Sequence, residues 1–223
     1  ALAKRLVAAA GVPTPPFVLM QTGREHLPAG FAFPAFAKPV AEGSSKGIGD
    51  RNVVQDEESL RVLVRELLRR FHQPVLVEEF LPGREFTVGL LGGPRARALP
   101  PVEILVRHQG DPLGYYSRAT KLINELLPVL PTDLPRSEVR ALETTALTAF
   151  EALGCRDVGR VDLRVDRHGV VNFIECNPLP GLTWGYSDLC FGAAAAGLDH
   201  RGLVEAILAP ALGRLKGEAR LAS

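Results

Sequence analysis

VGRVDLRVDRHGVVNFIECNPLPG, residues 158–181, reads as two strands joined by a tight turn. The turn falls at Asp166-Arg167-His168-Gly169, whose glycine supplies the positive φ that such turns need. In the first strand Val161, Leu163 and Val165 alternate with Arg160, Asp162, Arg164 and Asp166. In the second, Glu175 and Asn177 share a face, because side chains two apart on a strand point the same way. If the loop holds an even number of residues, Arg160, Asp162, Glu175 and Asn177 all fall on one face. Two carboxylates, an amide oxygen and a guanidinium are then gathered in one place.

A solvated strand face is the plain alternative for any charged hairpin. Against it stands the second strand, nearly all apolar (Val170, Val171, Phe173, Ile174), which predicts burial on both sides. A glutamate there is costly unless a cation or hydrogen bonds satisfy it. Hard oxygen ligands, few in number, suit magnesium that keeps phosphate oxygens and waters as its other ligands. The soft or imidazole ligands that zinc prefers are missing from the hairpin's polar face.

Composition narrows the field. The 223 residues are 46% hydrophobic and 23% charged, as in an ordinary globular chain of one large domain or two small ones. A formal charge of +1 gives no case for a nucleic-acid or membrane partner, and no apolar run reaches the ~18 residues of a membrane span. Lys4 and Arg5 precede a small apolar run that ends in Gly-Val-Pro-Thr-Pro-Pro, which reads as a short helix rather than a leader. The first residue is Ala, not Met, which suggests a fragment or a processed chain. Cys155, Cys176 and Cys190 have no metal-like spacing and read as reduced thiols of a cytoplasmic protein. The five histidines form no ligand pair.

From the start, residues 2–10 predict a helix ended by Gly11, and 17–20 a strand. A second strand stops at Lys38-Pro39. Glu42-Gly43-Ser44-Ser45-Lys46-Gly47-Ile48-Gly49 follows as a flexible loop whose glycines let backbone amides approach a ligand. It is neither a P-loop nor a dinucleotide fingerprint. Residues 56–71 predict a helix capped by Asp56, with a core face of Leu60, Leu63, Val64, Leu67 and Leu68. The strand from Val75 runs into Glu78-Glu79-Phe80-Leu81, then Pro82-Gly83-Arg84-Glu85. Strands are predicted over 85–91 and 95–104, a Gly- and Pro-punctuated stretch over 108–130, and a helix over 136–153. Covering helices are predicted over 189–196 and 200–212.

Arg160-Val161-Asp162, Glu175-Cys176-Asn177, Pro180-Gly181, Lys38-Pro39, Glu42-Gly43-Ser44-Ser45, residues 78–81 and Gly83-Arg84-Glu85 together resemble the ATP-grasp ligases, most of all the D-alanine–D-alanine ligase family. The resemblance covers nearly the whole chain. It implies an α+β ATP-grasp fold whose two subdomains, 1–84 and 85–223, clasp ATP between them. It also implies an ATP-dependent carboxylate–amine ligase of peptidoglycan precursor synthesis, working through an acyl phosphate.

By the same resemblance Asp162, Glu175 and Asn177 hold two magnesium ions, with manganese as a substitute, and Glu175 bridges them. Arg160 and the backbone at Gly181 stabilise the oxyanion. Lys38 and the loop of Glu42, Gly43, Ser44 and Ser45 take the phosphates, and Ser44 also lies near the first substrate. Glu78, Glu79, Phe80 and Leu81 contact adenine, Glu85 the ribose, and Lys121 the transferred phosphoryl group.

Small amino acids are the implied partners, with a homodimer as a candidate assembly and an amino-terminal domain of the same chain lying before Ala1. The family's tyrosine after Lys121 is replaced by Leu122, and its small polar residues after Pro-Gly by Trp184-Gly185-Tyr186, leaving Ser187 one step later. Two other readings stay open: an ATP-grasp ligase joining different amino acids, or an ATP-binding module inactive without its missing domain.

Overall fold

The computed structural model describes residues 1–42, 50–92, 96–106 and 126–221. The chain divides into two compact units. One is built on Pro15–Pro82, the other on Ala3–Thr14, Gly83–Ile104 and Pro128–Ser223.

The first unit is a sheet of β1 (Phe17–Met20), β2 (Ala35–Pro39), β3 (Val53–Val54) and β4 (Val75–Glu79), in the order β1-β4-β2-β3 with antiparallel neighbours. Strand β2 alternates as a one-faced strand must: Ala35, Ala37 and Pro39 are buried, while Phe36 and Lys38 turn to the other side. Helix α2 (Glu57–Phe71) begins where Asp56 accepts a 2.8 Å hydrogen bond from the Ser59 amide. It ends where His72 enters the left-handed region at φ 52°. Leu60, Leu63, Val64 and Leu67 form its buried stripe and close on Met20, Ala35, Ala37, Val75 and Val77. Each such aliphatic side chain contributes about 1.5–3 kcal/mol when fully buried.

The second unit holds α1 (Leu2–Ala9), β5 (Glu85–Gly92), β6 (Arg97–Ala98), β7 (Val102–Val106), β8 (Leu126–Val129), α3 (Arg136–Ala152), β9 (Asp157–Val165), β10 (Val171–Asn177), α4 (Asp188–Ala195) and α5 (His200–Leu221). Its sheet runs β10-β9-β5-β7-β8, with β6 beside β5. The β5–β9 ladder is unbroken from Glu85↔Arg164 to Gly92↔Asp157. One face, with Phe86, Val88, Leu90, Val161, Leu163 and Phe173, packs on Leu142, Ala146, Ala149 and Phe150 of α3 and on Val7 and Val12. The other face carries Leu91 and Leu99 under Leu189, Cys190 and Ala193 of α4 and Leu203 of α5. Helices cover both faces of the sheet, and at β5 and β9 glycine makes room for each. A Cβ on Gly159 would lie 2.5 Å from Phe150 Cε2, and one on Gly89 would lie 2.6 Å from Leu189 Cδ1.

The structure revises four boundaries. The strand predicted over 95–104 is split into β6 and β7, because Pro100 and Pro101 have no N–H to donate to a ladder. The Gly- and Pro-punctuated stretch over 108–130, for which no element was predicted, contains β8 at its end. Helix α4 starts at Asp188, after Ser187. Helix α5 continues through Pro210 to Leu221, well past the predicted end at 212. Among the described residues no helix is long and apolar enough to cross a membrane.

Because the Phe150 ring occupies the space a β-carbon would need, Gly159→Ala should cost about 1–3 kcal/mol of stability, as overpacked cores do. Urea unfolding would measure it. An unchanged midpoint would mean that the ring swings aside freely.

Candidate active site

The hairpin of β9 and β10 turns as its sequence predicts. Gly169 adopts φ +80°, its amide donates to the Asp166 carbonyl, and the Asp166 amide donates to the Val170 carbonyl at 2.9 Å. The condition placed on the loop, however, is not met by the turn. Val165 pairs with Val171, so five residues intervene, and Asn172 and Phe173 face Arg164 and Leu163. Continued without interruption, that register would set Glu175 opposite Val161, on the core side.

A bulge between Phe173 and Glu175 restores the polar face. Ile174 is the extra residue, and beyond it Glu175 pairs with Asp162, Cys176 with Val161 and Asn177 with Arg160. Phe173 stays in the core while Glu175 emerges on the other face. The expectation that this strand is buried on both sides is therefore corrected: Glu175 is exposed, and Asn177 is half-buried.

Asp162 is the hub of this face. Its Oδ1 accepts from Thr87 Oγ1 at 2.6 Å and from Arg160 Nε at 3.0 Å. Its Oδ2 accepts from Arg160 Nη2 at 3.0 Å and Asn177 Nδ2 at 2.9 Å. Arg160 Nη1 reaches Asp188 Oδ2 at 2.9 Å, so one guanidinium lies between two carboxylates. Thr87 is placed by β5, where it sits directly opposite Asp162. Asp188 is placed by the first turn of α4.

Neither Thr87 nor Asp188 was singled out from the sequence. Thr87 carries a usable signal, since it lies two residues from Glu85 on one strand face. Asp188 carries only a helix start after Ser187. On the opposite side of β10, Cys176 Sγ lies 3.8 Å from Cys155 Sγ. Burial first, and the neighbouring Cys155 with it, push the Cys176 thiol up.

Further along the same polar face, Glu85 accepts from Arg164 Nη1 at 3.0 Å, and Arg164 Nε also donates to the Gly83 carbonyl. Burial pushes the Arg164 guanidinium below its usual range, with the Glu85 carboxylate working the other way. Gly181 lies against Ser187, where a β-carbon would come 2.7 Å from Ser187 Oγ. That hydroxyl oxygen accepts from the Thr183 amide at 3.1 Å. Trp184, 41% exposed, has its ring 5.8 Å from that of His200, and Tyr186 is exposed.

In the first unit the structure brings Lys38 and Glu78 together, with Nζ 3.6 Å from Oε2. Glu78 is only 3% exposed. Glu79 turns its Oε1 to the Ala32 amide at 2.7 Å, while Phe80 donates its own amide to the Pro34 carbonyl and is buried, as is Leu81. Glu42 accepts from Gln73 Nε2 at 2.9 Å. Gly43, Ser44, Ser45, Lys121 and Leu122 lie outside the described residues.

The oxygens of Asp162, Glu175 and Asn177 are a hard donor set fit for magnesium, with Glu175 directly across the ladder from Asp162. Among the described residues there is no cluster of three or more His, Cys, Asp and Glu side chains of the kind that cages a cation by itself. An ion here would need other oxygens to complete its shell.

The two-sheet α+β architecture is that of the ATP-grasp fold. The D-alanine–D-alanine ligase of Coxiella burnetii superposes with a TM-score of 0.77 at 23% identity, over 99% of this chain and 58% of that one. The VanG D-Ala:D-Ser ligase of Enterococcus faecalis also gives 0.77, at 24% identity over 93% and 60%. In sequence, the D-alanine–D-alanine ligase of Alcanivorax borkumensis is 38% identical over 96% of this chain, which spans 64% of the relative's length. The family described as D-ala D-ala ligase C-terminus matches residues 6–209, and the chain belongs to it.

Since Arg160 is shared between Asp162 and Asp188, a double-mutant cycle of Arg160→Gln and Asp188→Asn should give a coupling of about 0.5–3 kcal/mol in denaturant unfolding. Additive losses would mean that the Asp188 contact does not hold the guanidinium.

Proposed function

We propose that this chain is the ATP-binding and catalytic part of an ATP-dependent carboxylate–amine ligase of the D-alanine–D-alanine ligase type. In the reaction the γ-phosphoryl group of ATP passes to an amino-acid carboxylate, giving an acyl phosphate and ADP. The amine of a second amino acid attacks the acyl carbon, phosphate leaves with the C–O bonding pair, and the amine loses a proton as the amide forms.

The observation that carries this reading is the single face shared by Arg160, Asp162, Glu175 and Asn177. The Arg160 guanidinium pairs with Asp162 and Asp188, and Glu175 lies across the ladder from Asp162, so the formal charges of these four groups leave an excess of negative charge that suits a divalent cation. Asp162, Glu175 and Asn177 would hold magnesium, which when bound neutralises charge on the phosphate oxygens.

Arg160 faces the reacting carboxyl group in this reading. Its pairs with Asp162 and Asp188 orient the guanidinium before the oxyanion develops, so little reorganisation is left for the transition state. Lys38, held beside Glu78, would meet the phosphates as a point charge. Ser44, Ser45 and Lys121 keep the phosphate and substrate roles given above, and Gly181 contributes backbone to the oxyanion site. Glu78, Glu79, Phe80 and Leu81 line the base, and Glu85, oriented by Arg164, takes the ribose hydroxyls. An amino-terminal domain would complete the amino-acid site, and the assembled enzyme would act in the cytoplasm.

Two experiments bear on the proposal. Glu175→Gln should abolish magnesium-dependent ATP affinity while the fold survives, since an amide cannot supply the bridging charge. Loss of folding without any metal effect would make Glu175 structural. Acceptor choice is the second. Leu122 can neither donate nor accept a hydrogen bond, and bulky Trp184 and Tyr186 stand where small polar residues are usual. A site built to hydrogen-bond its substrate discriminates by ~10⁴ or more, a reshaped apolar pocket far less. The full-length enzyme should therefore form amides with acceptors other than D-alanine. Exclusive D-alanyl-D-alanine production from mixed acceptors would refute this.

A further inference from the structure

Strand β10 lies at the edge of its sheet, so alternate residues present N–H and C=O groups away from β9. At Phe173, the last residue before the bulge, both groups are taken up by the segment that opens the chain. The Phe173 amide donates to the Pro13 carbonyl at 2.8 Å. The Phe173 carbonyl accepts from Lys4 Nζ at 3.0 Å. Lys4 is 3% exposed, and its ammonium sits 5.7 Å from the centroid of the Phe173 ring. Burying a lysine is unfavourable unless hydrogen bonds satisfy its charge. A helix that needed only packing at this position would be served better by leucine or methionine. Part of that cost is offset at the Phe173 carbonyl, and that carbonyl marks where the register changes.

We infer that Lys4 is a positioning residue for the metal face: by holding the Phe173 carbonyl it fixes the site of the bulge, and so the emergence of Glu175 and Asn177 beside Asp162 and Arg160. The inference rests on the magnesium reading above. Without the clamp, the bulge competes with the continuous register, in which Glu175 faces Val161 and the oxygen set is dispersed. Lys4 is held at the Phe173 carbonyl. Its effect passes through the backbone of residues 173–175, much as groups behind metal ligands orient them.

The test uses the full-length enzyme with Lys4→Met and Lys4→Arg. Manganese binding is followed by electron paramagnetic resonance in the presence of a non-hydrolysable ATP analogue, and analogue affinity is measured separately without divalent ions. Lys4→Met should weaken manganese binding by about 10- to 100-fold and leave metal-free analogue affinity unchanged. Lys4→Arg, which keeps a charged donor, should recover most of the loss. If Lys4→Met does not fold, Lys4→Gln is judged by the same criterion, together with cross-strand nuclear Overhauser contacts between residues 175 and 162. A lower melting temperature with unchanged manganese affinity would overturn the role of Lys4 and leave the metal reading standing. Absence of saturable manganese binding in the wild type would overturn both.

Discussion

Side chains on a strand alternate between two faces, and β10 has to break that rule once. Phe173 belongs to the core with Leu163 and Val161, whereas Glu175, two residues on, belongs to the opposite face with Asp162. Residues two apart can be so divided only if one between them is left out of the pairing, and Ile174 is that residue. Strand β9 has no such freedom, because its ladder with β5 is continuous from Arg164 to Asp157. The adjustment therefore falls on the edge strand. Both the hydrophobic core below the sheet and the polar cluster above it depend on that single discontinuity.

The polar cluster itself is organised by hydrogen bonding more than by net attraction. Asp162 accepts from a hydroxyl, a guanidinium and an amide, and each donor comes from a different strand position. Partly buried ion pairs add little net stability once desolvation is counted, but they restrict orientation. Arg160 is restricted twice, by Asp162 and by the helix that supplies Asp188. A charged group held in this way before the reaction begins is what electrostatic catalysis requires.

The identity of the site was more legible in the sequence than its geometry. Alternation in 158–165 and the pair Glu175 and Asn177 announced a polar hairpin face, and Gly169 announced its turn. The bulge was not legible, because an extra residue leaves hydrophobic alternation ambiguous over a run as apolar as Val170–Ile174. The same run suggested burial on both sides, yet the strand lies at an edge and Glu175 is exposed. Thr87, Asp188 and Lys4 act through partners 75, 28 and 169 residues away in the chain, and local patterns carry no such information. The helices were read well where capping and period agreed, as in α2. The last helix was read short, to 212, where it runs on to Leu221.

Cys176 lies between Glu175 and Asn177 in the chain but points to the other face, towards Cys155. Oxidation requires the thiolate, and the thiolate is what this environment disfavours. At 3.8 Å the two sulfurs are in contact but not joined, and both cysteines are free thiols. The strand that presents the candidate ligands thus carries its sulfur on the face away from them, half-buried beside Cys155. The same alternation that gathers the oxygens on one face keeps this sulfur off it.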